Sequence, residues 1–468
     1  MAPTLGRVNA VSDCCDEAYD EQAAPRAHYG ELLTALEGTD LVAFKQSVQA
    51  DLDANGVGFA SAGGQTQFPV DPVPRIVDAD EWSLLRRGLA QRVQALIAFV
   101  ADVYGERAIV DAGVVPARVI ETAEYLEPDM QGVVSASATY VAGLDLVRGA
   151  DGRLRVLEDN LRTPSGIAYA LATRRAVNAH LPLAPPAARV DPEGIYELLG
   201  EALRGSAPGG VDDPTVVLLS DGPSNSAWYE HRLLAERLGI PLVQPEDLSV
   251  RGERVRVRTE DGQHDVHVVY RRTDEDRLRD SAGRPTWVAE KMLGPLRAGK
   301  VSVVNPFGSG VADDKLVHAY VEAMIRFYCG EEPMIESVRT YDLGDPDVLA
   351  ETLDRLDELV VKPRGGYGGE GVVVCPHANA EDRAAIRREV EADPDGFIAQ
   401  ELVEISTHPT VCDDRLEPRH VDLRPFAIGS GGSAVTAPVA LTRVAFDRGS
   451  LVVNSSQNGG GKDTWLMA

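Results

Sequence analysis

Leu359-Val360-Val361-Lys362-Pro363-Arg364-Gly365-Gly366-Tyr367-Gly368-Gly369-Glu370-Gly371-Val372-Val373-Val374 places five glycines within seven residues, between two valine-rich runs. The short β-branched flanks read as two strands, and the glycines as the tip of the hairpin that joins them. Glycine lets successive backbone N–H groups converge on one point and removes the side chains that would hold an anion away. Lys362 stands at the mouth as a compact positive charge. The stretch reads as a flap over a nucleotide triphosphate; taken alone, it reads equally as an ordinary glycine-rich hairpin. It is not a Walker P-loop, because no Gly-Lys-Ser/Thr leads into a helix.

Around this stretch lies a chain of 468 residues, 44% apolar and 25% charged, with a formal net charge of −27. That length predicts two or three domains, and that composition a soluble globular protein. The acidic balance argues against nucleic acid or an anionic membrane as partner, since both need a basic face. It leaves room for a local basic pocket. No run of 18 apolar residues predicts a membrane span, and residues 1–20 carry acids where a signal core would be apolar. Cys14, Cys15, Cys329, Cys375 and Cys412 show no metal spacing and read as reduced thiols in a cytoplasm. Cys375, next to the flap, reads as a small buried hydrophobe.

Four regions are expected: an N-terminal helical region 1–114, a segment 115–205 carrying a metal-binding hairpin, an α/β region 206–310 on the substrate side, and a nucleotide-binding region 311–468. Residues 1–27 look loose and polar, 29–52 form a helix, and 57–74 form a loop. Asp80 caps a long helix with an apolar stripe of Trp82, Leu85, Leu89, Val93, Leu96, Val100 and Val103. Residues 118–120 and 132–135 look like strands. From 215 the pattern is strand, loop, helix, strand, with the helix at 228–238 and a strand at 266–270. This predicts a small parallel sheet, whose loops at the carboxyl ends of strands are candidate substrate positions. Residues 221–225 and 271–274, including Arg271 and Arg272, are such positions; they read equally as a surface turn and a solvated arginine pair. Asp313-Asp314-Lys315 opens a helix running through Tyr320 and Met324, where Lys315 reaches a phosphate or is simply a solvated lysine. A helix at 380–392 capped by Asn379 and strands at 397–403, 420–429 and 439–445 complete the pattern.

The metal candidates come from a second hairpin. Residues 140–148, a Gly-Ala-Asp-Gly turn and 154–160 place Asp145 on one strand, with Glu158 and Asn160 two apart on the other. Residues two apart share a face. Three oxygen donors without nitrogen or sulfur suit Mg²⁺, although the same residues would also make a solvated polar strand face.

Taken in order, these features resemble the ATP-grasp ligases. Gly143-Leu144-Asp145, Glu158-Asp159-Asn160 and Pro164-Ser165-Gly166 come near the start rather than at the end, so the chain resembles the circularly permuted ATP-grasp group, over roughly residues 115–468. The phrases "LEDNLRTPSGIAY" and "NSSQNGGGKDTW" carry the resemblance most specifically. The fold implied is α/β, α+β in part: a circularly permuted ATP-grasp with a small parallel-sheet domain.

The resemblance also implies roles. Lys315 and Lys362 contact ATP phosphates, and Gly365, Gly366, Gly368, Gly369 and Gly371 form the flap. Gln400, Glu401 and Val403 match the hinge strand beside adenine, the first and third through backbone. Asp422 and Arg424 line the triphosphate, and Asn454 in the Asn/Gly-rich ending joins the nucleotide residues. Arg443 stabilises the transferred phosphoryl group, with Lys362 and Arg424. Asp145, Glu158 and Asn160 are the magnesium ligands. Arg162, Ser165 and Gly166 edge the acceptor site, although Pro-Ser-Gly departs from the usual Ser-Pro-Gly order. Lys462 is a phosphate or substrate contact without a firm counterpart. The implied reaction joins a small carboxylate to an amine, acting on amino acids or peptides, with ATP and Mg²⁺. A phosphotransferase and a non-catalytic nucleotide-binding subunit are the alternatives, and an oligomer is possible.

Overall fold

The computed structural model describes residues 15–61, 64–135, 137–259, 262–366, 371–450 and 459–468. Asn454, Gly368 and Gly369 lie outside the described residues.

A seven-stranded sheet organises the molecule. Its strands run in the order Val70–Val77, Gly459–Leu466, Ser433–Ala445, Arg415–Ser430, Tyr140–Arg148 and Leu154–Asn160, and Thr407–Cys412 pairs with Arg415–Ser430 off this path. All pairings are antiparallel except that of Val70–Val77 with Gly459–Leu466. The early metal hairpin is thus stitched to a late strand, which is the adjacency a permuted chain requires.

Two smaller sheets complete the site. Thr340–Asp342, Phe397–Glu401, Leu359–Pro363 and Val373–Val374 form an antiparallel sheet that carries the flap stem, with Val360 opposite Val374. Ser302–Val304, Val268–Arg272, Val216–Ser220 and Leu242–Val243 form the expected parallel sheet. Asn305, just past one of its strands, ties it to the central sheet. The Asn305 amide accepts from Val141 N at 2.7 Å and donates to Val141 O at 2.8 Å.

The helix Ala79–Val103 packs on the central sheet, and its whole apolar stripe from Trp82 to Val103 is buried. Each such side chain contributes roughly 1.5–3 kcal/mol of burial. Its cap is Asp78, not Asp80: the Asp78 carboxylate accepts from Glu81 N at 2.9 Å. Among the described residues no helix is long and apolar enough to cross a membrane.

Several local expectations are corrected. The helix expected at 29–52 is two, Gly30–Glu37 and Leu41–Ala54, because Gly38 ends the first and Asp40 caps the second by accepting from Ala43 N. Residues 57–74 are not a loop but strands Gly58–Ser61 and Gly64–Gln67 and the start of Val70–Val77. Pro72 and Pro74 are tolerated because that last strand is at the edge of the sheet. The residues at 118–120 lie in the short helix Ala117–Glu121, and 132–135 form a turn, with Gly132 at φ 72°. Short apolar runs satisfy either period, and here one helical turn buries Val119 and Ile120. The strand expected at 266–270 runs instead from Val268 to Arg272, which puts both arginines in the sheet. The helix expected from Lys315 to Met324 is broken into Lys315–His318 and Val321–Met324. Residues 15–27 are not loose: Glu17 is buried and makes a forked ion pair with Arg75, at 2.6 and 2.7 Å.

Candidate active site

The hairpin of Tyr140–Arg148 and Leu154–Asn160 forms as expected. Asp145 lies directly opposite Glu158, and Gly143 opposite Asn160, with a bulge after Asp145. Asp145 is 2% exposed. Arg424, on the neighbouring strand, grips it with Nε and Nη2, both at 2.6 Å. Arg443 Nη2 approaches the same carboxylate at 2.9 Å, while its Nε donates to Asp422 at 2.9 and 3.0 Å. Burial pushes the Asp145 carboxyl up, and Arg424 and Arg443 more than reverse this, holding it down at about 2. Burial, only partly offset by Arg443, leaves Asp422 above the usual carboxylate range.

The two candidate lysines are also brought together. Glu158, Asp313, Asp314, Lys315, His318, Lys362 and Gln400 line one pocket. Lys362 Nζ donates to Gln400 Oε1 at 2.6 Å, and burial lowers its ammonium below the ordinary value. Lys315 Nζ donates to Gly366 O at 2.7 Å, so the helix lysine touches the flap stem itself. Arg364 locks that stem further. It donates to Asp314, the cap of the lysine's helix, at 2.8 Å, to Thr122 Oγ1 at 2.6 Å and to Val119 O at 2.5 Å.

Beside the hinge lies a cleft of about 770 Å³, lined by Glu401, Leu402, Val403 and Glu404 with residues 336–340 and the metal hairpin's turn. The Glu401 carboxylate accepts from Tyr341 OH at 2.5 Å and Arg355 Nη1 at 3.1 Å.

The expected substrate residues divide into three kinds. Arg272 and Ser165 are joined to each other. Arg272 Nη2 donates to Ser165 Oγ at 2.6 Å and to Glu230 at 3.1 Å, and Nη1 to Pro164 O at 2.8 Å. Glu230 also accepts from Gly166 N and Ala168 N, both at 2.9 Å, and so closes the start of the helix Ile167–His180. Gly166 has φ 135°, and a Cβ there would meet Phe426 at 3.0 Å, so only glycine fits the turn. Arg162 stacks on Tyr125 at 3.8 Å and faces Asp276 at 3.4 Å.

Arg271 is different: it is 1% exposed, its Nε and Nη1 have no hydrogen-bond partner among the described residues, and Asp276 is 4.0 Å away. Burial, the largest cause, pushes its guanidinium down to about 10, with Asp276 opposing and Arg162 reinforcing. Neither arginine is the solvated residue that the sequence allowed.

Lys462 is corrected. It is fully buried, paired with Asp71 and donating to Pro409 O at 2.9 Å. It lies opposite Thr442, whereas Gly461 lies opposite Arg443, so Lys462 takes the other face of the sheet from the charge cluster.

Sequence reasoning missed Arg364, Asp313, Glu404 and the group Arg92–Asp159–His318. Asp313 accepts from Leu161 N at 2.5 Å and Arg162 N at 3.2 Å, pinning the loop after the metal hairpin. Burial pushes its carboxyl up to about 7, against those N–H groups and Arg162. The signal for Arg364 was present, a second cation beside Lys362 in the flap stem. Nothing local marked Asp159, which differs from Glu158 and Asn160 only in facing the other way.

The donor set suits a hard cation. Asp145, Glu158 and Asn160 offer carboxylate and amide oxygens, the donors such a cation takes. No three His, Cys, Asp or Glu side chains converge among the described residues, so the amide is needed to complete any such site.

A family model described as circularly permuted ATP-grasp type 2 matches residues 74–445. The chain is 46% identical over 461 residues to a putative glutamate–cysteine ligase 2-2 of Frankia casuarinae, covering 96% of this chain and 53% of that protein. It thus spans about half the length of that relative. It is 41% identical over 462 residues to an uncharacterized protein of Mycobacterium tuberculosis, covering 97% of this chain and 84% of that one. A glutathione synthetase like-effector of Globodera pallida, solved in its apo form, superposes with a TM-score of 0.62 at 12% identity, over 92% of this chain and 99% of that one; this likeness speaks for the fold. With the permuted strand order and the matched length, the chain belongs to the circularly permuted ATP-grasp type 2 family.

Proposed function

We propose that the protein is an ATP-dependent carboxylate–amine ligase acting on amino acids or small peptides. The observation that carries this reading is one pocket in which Lys315, Lys362 and Glu158 meet under the flap stem. Asp145, directly opposite Glu158, links that pocket to the cluster with Arg424 and Arg443.

In this reading the two lysines and the flap bind the triphosphate, and the hinge cleft takes the nucleoside. A substrate carboxylate oxygen attacks the γ-phosphorus, the bond to the β–γ bridging oxygen breaks, and ADP leaves. Arg443 and Arg424 offset the charge on the moving phosphoryl group. An amine then attacks the acyl carbon, inorganic phosphate departs, and the amine loses a proton to give the amide. Mg²⁺, when held by Asp145, Glu158 and Asn160, would neutralise phosphate charge. The flap excludes water from the acylphosphate. Arg271, whose buried Nε and Nη1 have no hydrogen-bond partner among the described residues, and the nearby charge of Arg162 suit the substrate's carboxylate. The name of the Frankia relative supports amino acids as the substrate class.

The test is a screen of amino-acid pairs for ADP and phosphate release, with mass spectrometry of the product. Amine-dependent ADP release with a new amide is expected. Turnover that needs no amine and leaves a phosphorylated product would instead establish a phosphotransferase. Nucleotide binding without any turnover would leave a regulatory subunit.

A further inference from the structure

Two loops at the carboxyl ends of neighbouring parallel strands, 221–225 after Val216–Ser220 and 273–276 after Val268–Arg272, gather three aspartates. Asn225 Nδ2 donates to Asp221 at 3.0 Å and to Asp274 at 2.9 Å, and Asp221 accepts from Asp274 N at 2.7 Å. These bonds tie the two loops together, and they leave Asp276 out. Among the described residues no hydrogen bond reaches its carboxylate. Arg162 Nε is 3.4 Å away and Arg271 Nη1 4.0 Å, both longer than an N–H···O bond. Yet the Asp276 side chain is only 11% exposed.

Arg271 has the opposite need. Its side chain is 1% exposed, and its Nε and Nη1 have no acceptor among the described residues. A buried donor left unpaired costs about 1–3 kcal/mol, and more when the group is charged. A buried guanidinium that lacks an acceptor thus stands beside a carboxylate that lacks a donor.

The pair selects a ligand by its charges. A bare carboxylate bound at Arg271 would also meet the like charge of Asp276. A bare ammonium bound at Asp276 would also meet Arg271 and Arg162. A neutral ligand would leave both buried charges unmatched. A zwitterion with its two charges on one carbon gives each group a partner. The N–Cα and Cα–C bonds are about 1.5 Å each, so its two ends fit a pair this close. In an α-linked peptide the free ammonium and carboxylate belong to different residues, whose α-carbons are about 3.8 Å apart or more, and the match is lost. The position also fits. Ligands of open parallel sheets bind at the carboxyl ends of the strands. Arg162, stacked on Tyr125 at 3.8 Å, follows the strand Leu154–Asn160 by two residues and so brings this corner beside Asn160.

We infer that this corner binds a free α-amino-acid group: Arg271 takes its α-carboxylate and Asp276 its α-ammonium. The inference rests on the ligase reading and narrows its substrate class to a molecule whose ammonium and carboxylate share one carbon.

The experiment is calorimetry without turnover. Each of the twenty standard L-amino acids is titrated into the wild-type protein, alone and with β,γ-imido-ATP and Mg²⁺. At least one is expected to bind. Its α-amide and its N-acetyl derivative are each expected to bind about tenfold more weakly or worse, the scale of one hydrogen bond to a charged group. Arg271→Gln is expected to bind the acid and the α-amide alike, and Asp276→Asn the free and the N-acetyl forms alike. Variants that weaken all forms equally overturn the inference and leave the pair structural. If neither variant folds, wild type alone decides: an α-amide and an N-acetyl form that bind as tightly as the parent amino acid overturn it. Failure of every amino acid to bind under both conditions overturns it too. Amine-dependent ADP release judges the ligase reading separately. Release with α-linked dipeptides but with no free amino acid refutes only this inference, and no release with any carboxylate–amine pair refutes the ligase reading as well.

Discussion

Arg443 Nη2 stands 2.9 Å from Asp145 Oδ2, although the two residues are far apart in sequence. The strand Arg415–Ser430 lies between their own strands and contributes Asp422 and Arg424 to the same cluster. Two arginines and two aspartates thus hold one another in place next to Glu158, which lines the pocket of the two lysines. Arg443→Lys keeps the charge but loses the fork that spans Asp145 and Asp422. Turnover is expected to fall about 10²–10³-fold, the scale seen when one donor to developing charge is removed. Steady-state kinetics and a thermal melt check it; full turnover in this variant would show that the arginine is structural only.

Glu158 faces Asp145 across the hairpin and lines the pocket with both lysines. It is partly exposed and anchors no core group, so Glu158→Gln is expected to keep stability within about 0.5 kcal/mol. Its carboxylate charge, however, is one of only two in the metal set. ATP turnover is expected to be abolished, with weaker Mg²⁺ binding. Retained activity at ordinary Mg²⁺ concentration would remove Glu158 from that set.

Arg364 ties the flap stem to the residue that caps the lysine's helix. Arg364→Ala frees the stem and leaves Asp314 buried without its ion-pair partner, a loss of about 3–5 kcal/mol for a buried pair. Hydrogen exchange is expected to quicken across residues 359–366, and KM for ATP to rise about tenfold. Unchanged exchange there would mean that Lys315 and Gly366 hold the stem without Arg364.

Asp313 makes a pH prediction. Its folded pKa is raised to about 7, above the ordinary carboxylate value of about 3.9. Between those values the folded state binds more protons than the unfolded state. Stability from this group therefore falls as pH rises from about 4 to about 7 and is flat above that. Asp313→Asn removes the dependence. The melting temperature of wild type, relative to that variant, is expected to decline across this window; parallel curves would count against a buried, raised Asp313.

The amino-acid sequence by itself determined the parts whose causes are local. Apolar residues around a four-residue turn make the hairpin of 140–160, and the valine runs that flank the glycines pair with each other, wherever the chain lies. The order of those motifs was also enough to point to a permuted ATP-grasp fold. What only the tertiary structure decided were the pairings of charges far apart in sequence, because a side chain's charge does not name its partner. Lys462 and Lys362 look alike as residues. One is spent on Asp71 on the far face of the sheet, while the other lines a pocket with Lys315 and Glu158. Arg271 and Arg272 are neighbours on one strand, yet alternation turns them to opposite sides: Arg272 clamps Ser165 and Glu230, and Arg271 keeps Nε and Nη1 unpaired among the described residues. Asp159 sits between two metal candidates but faces Arg92 and His318 instead.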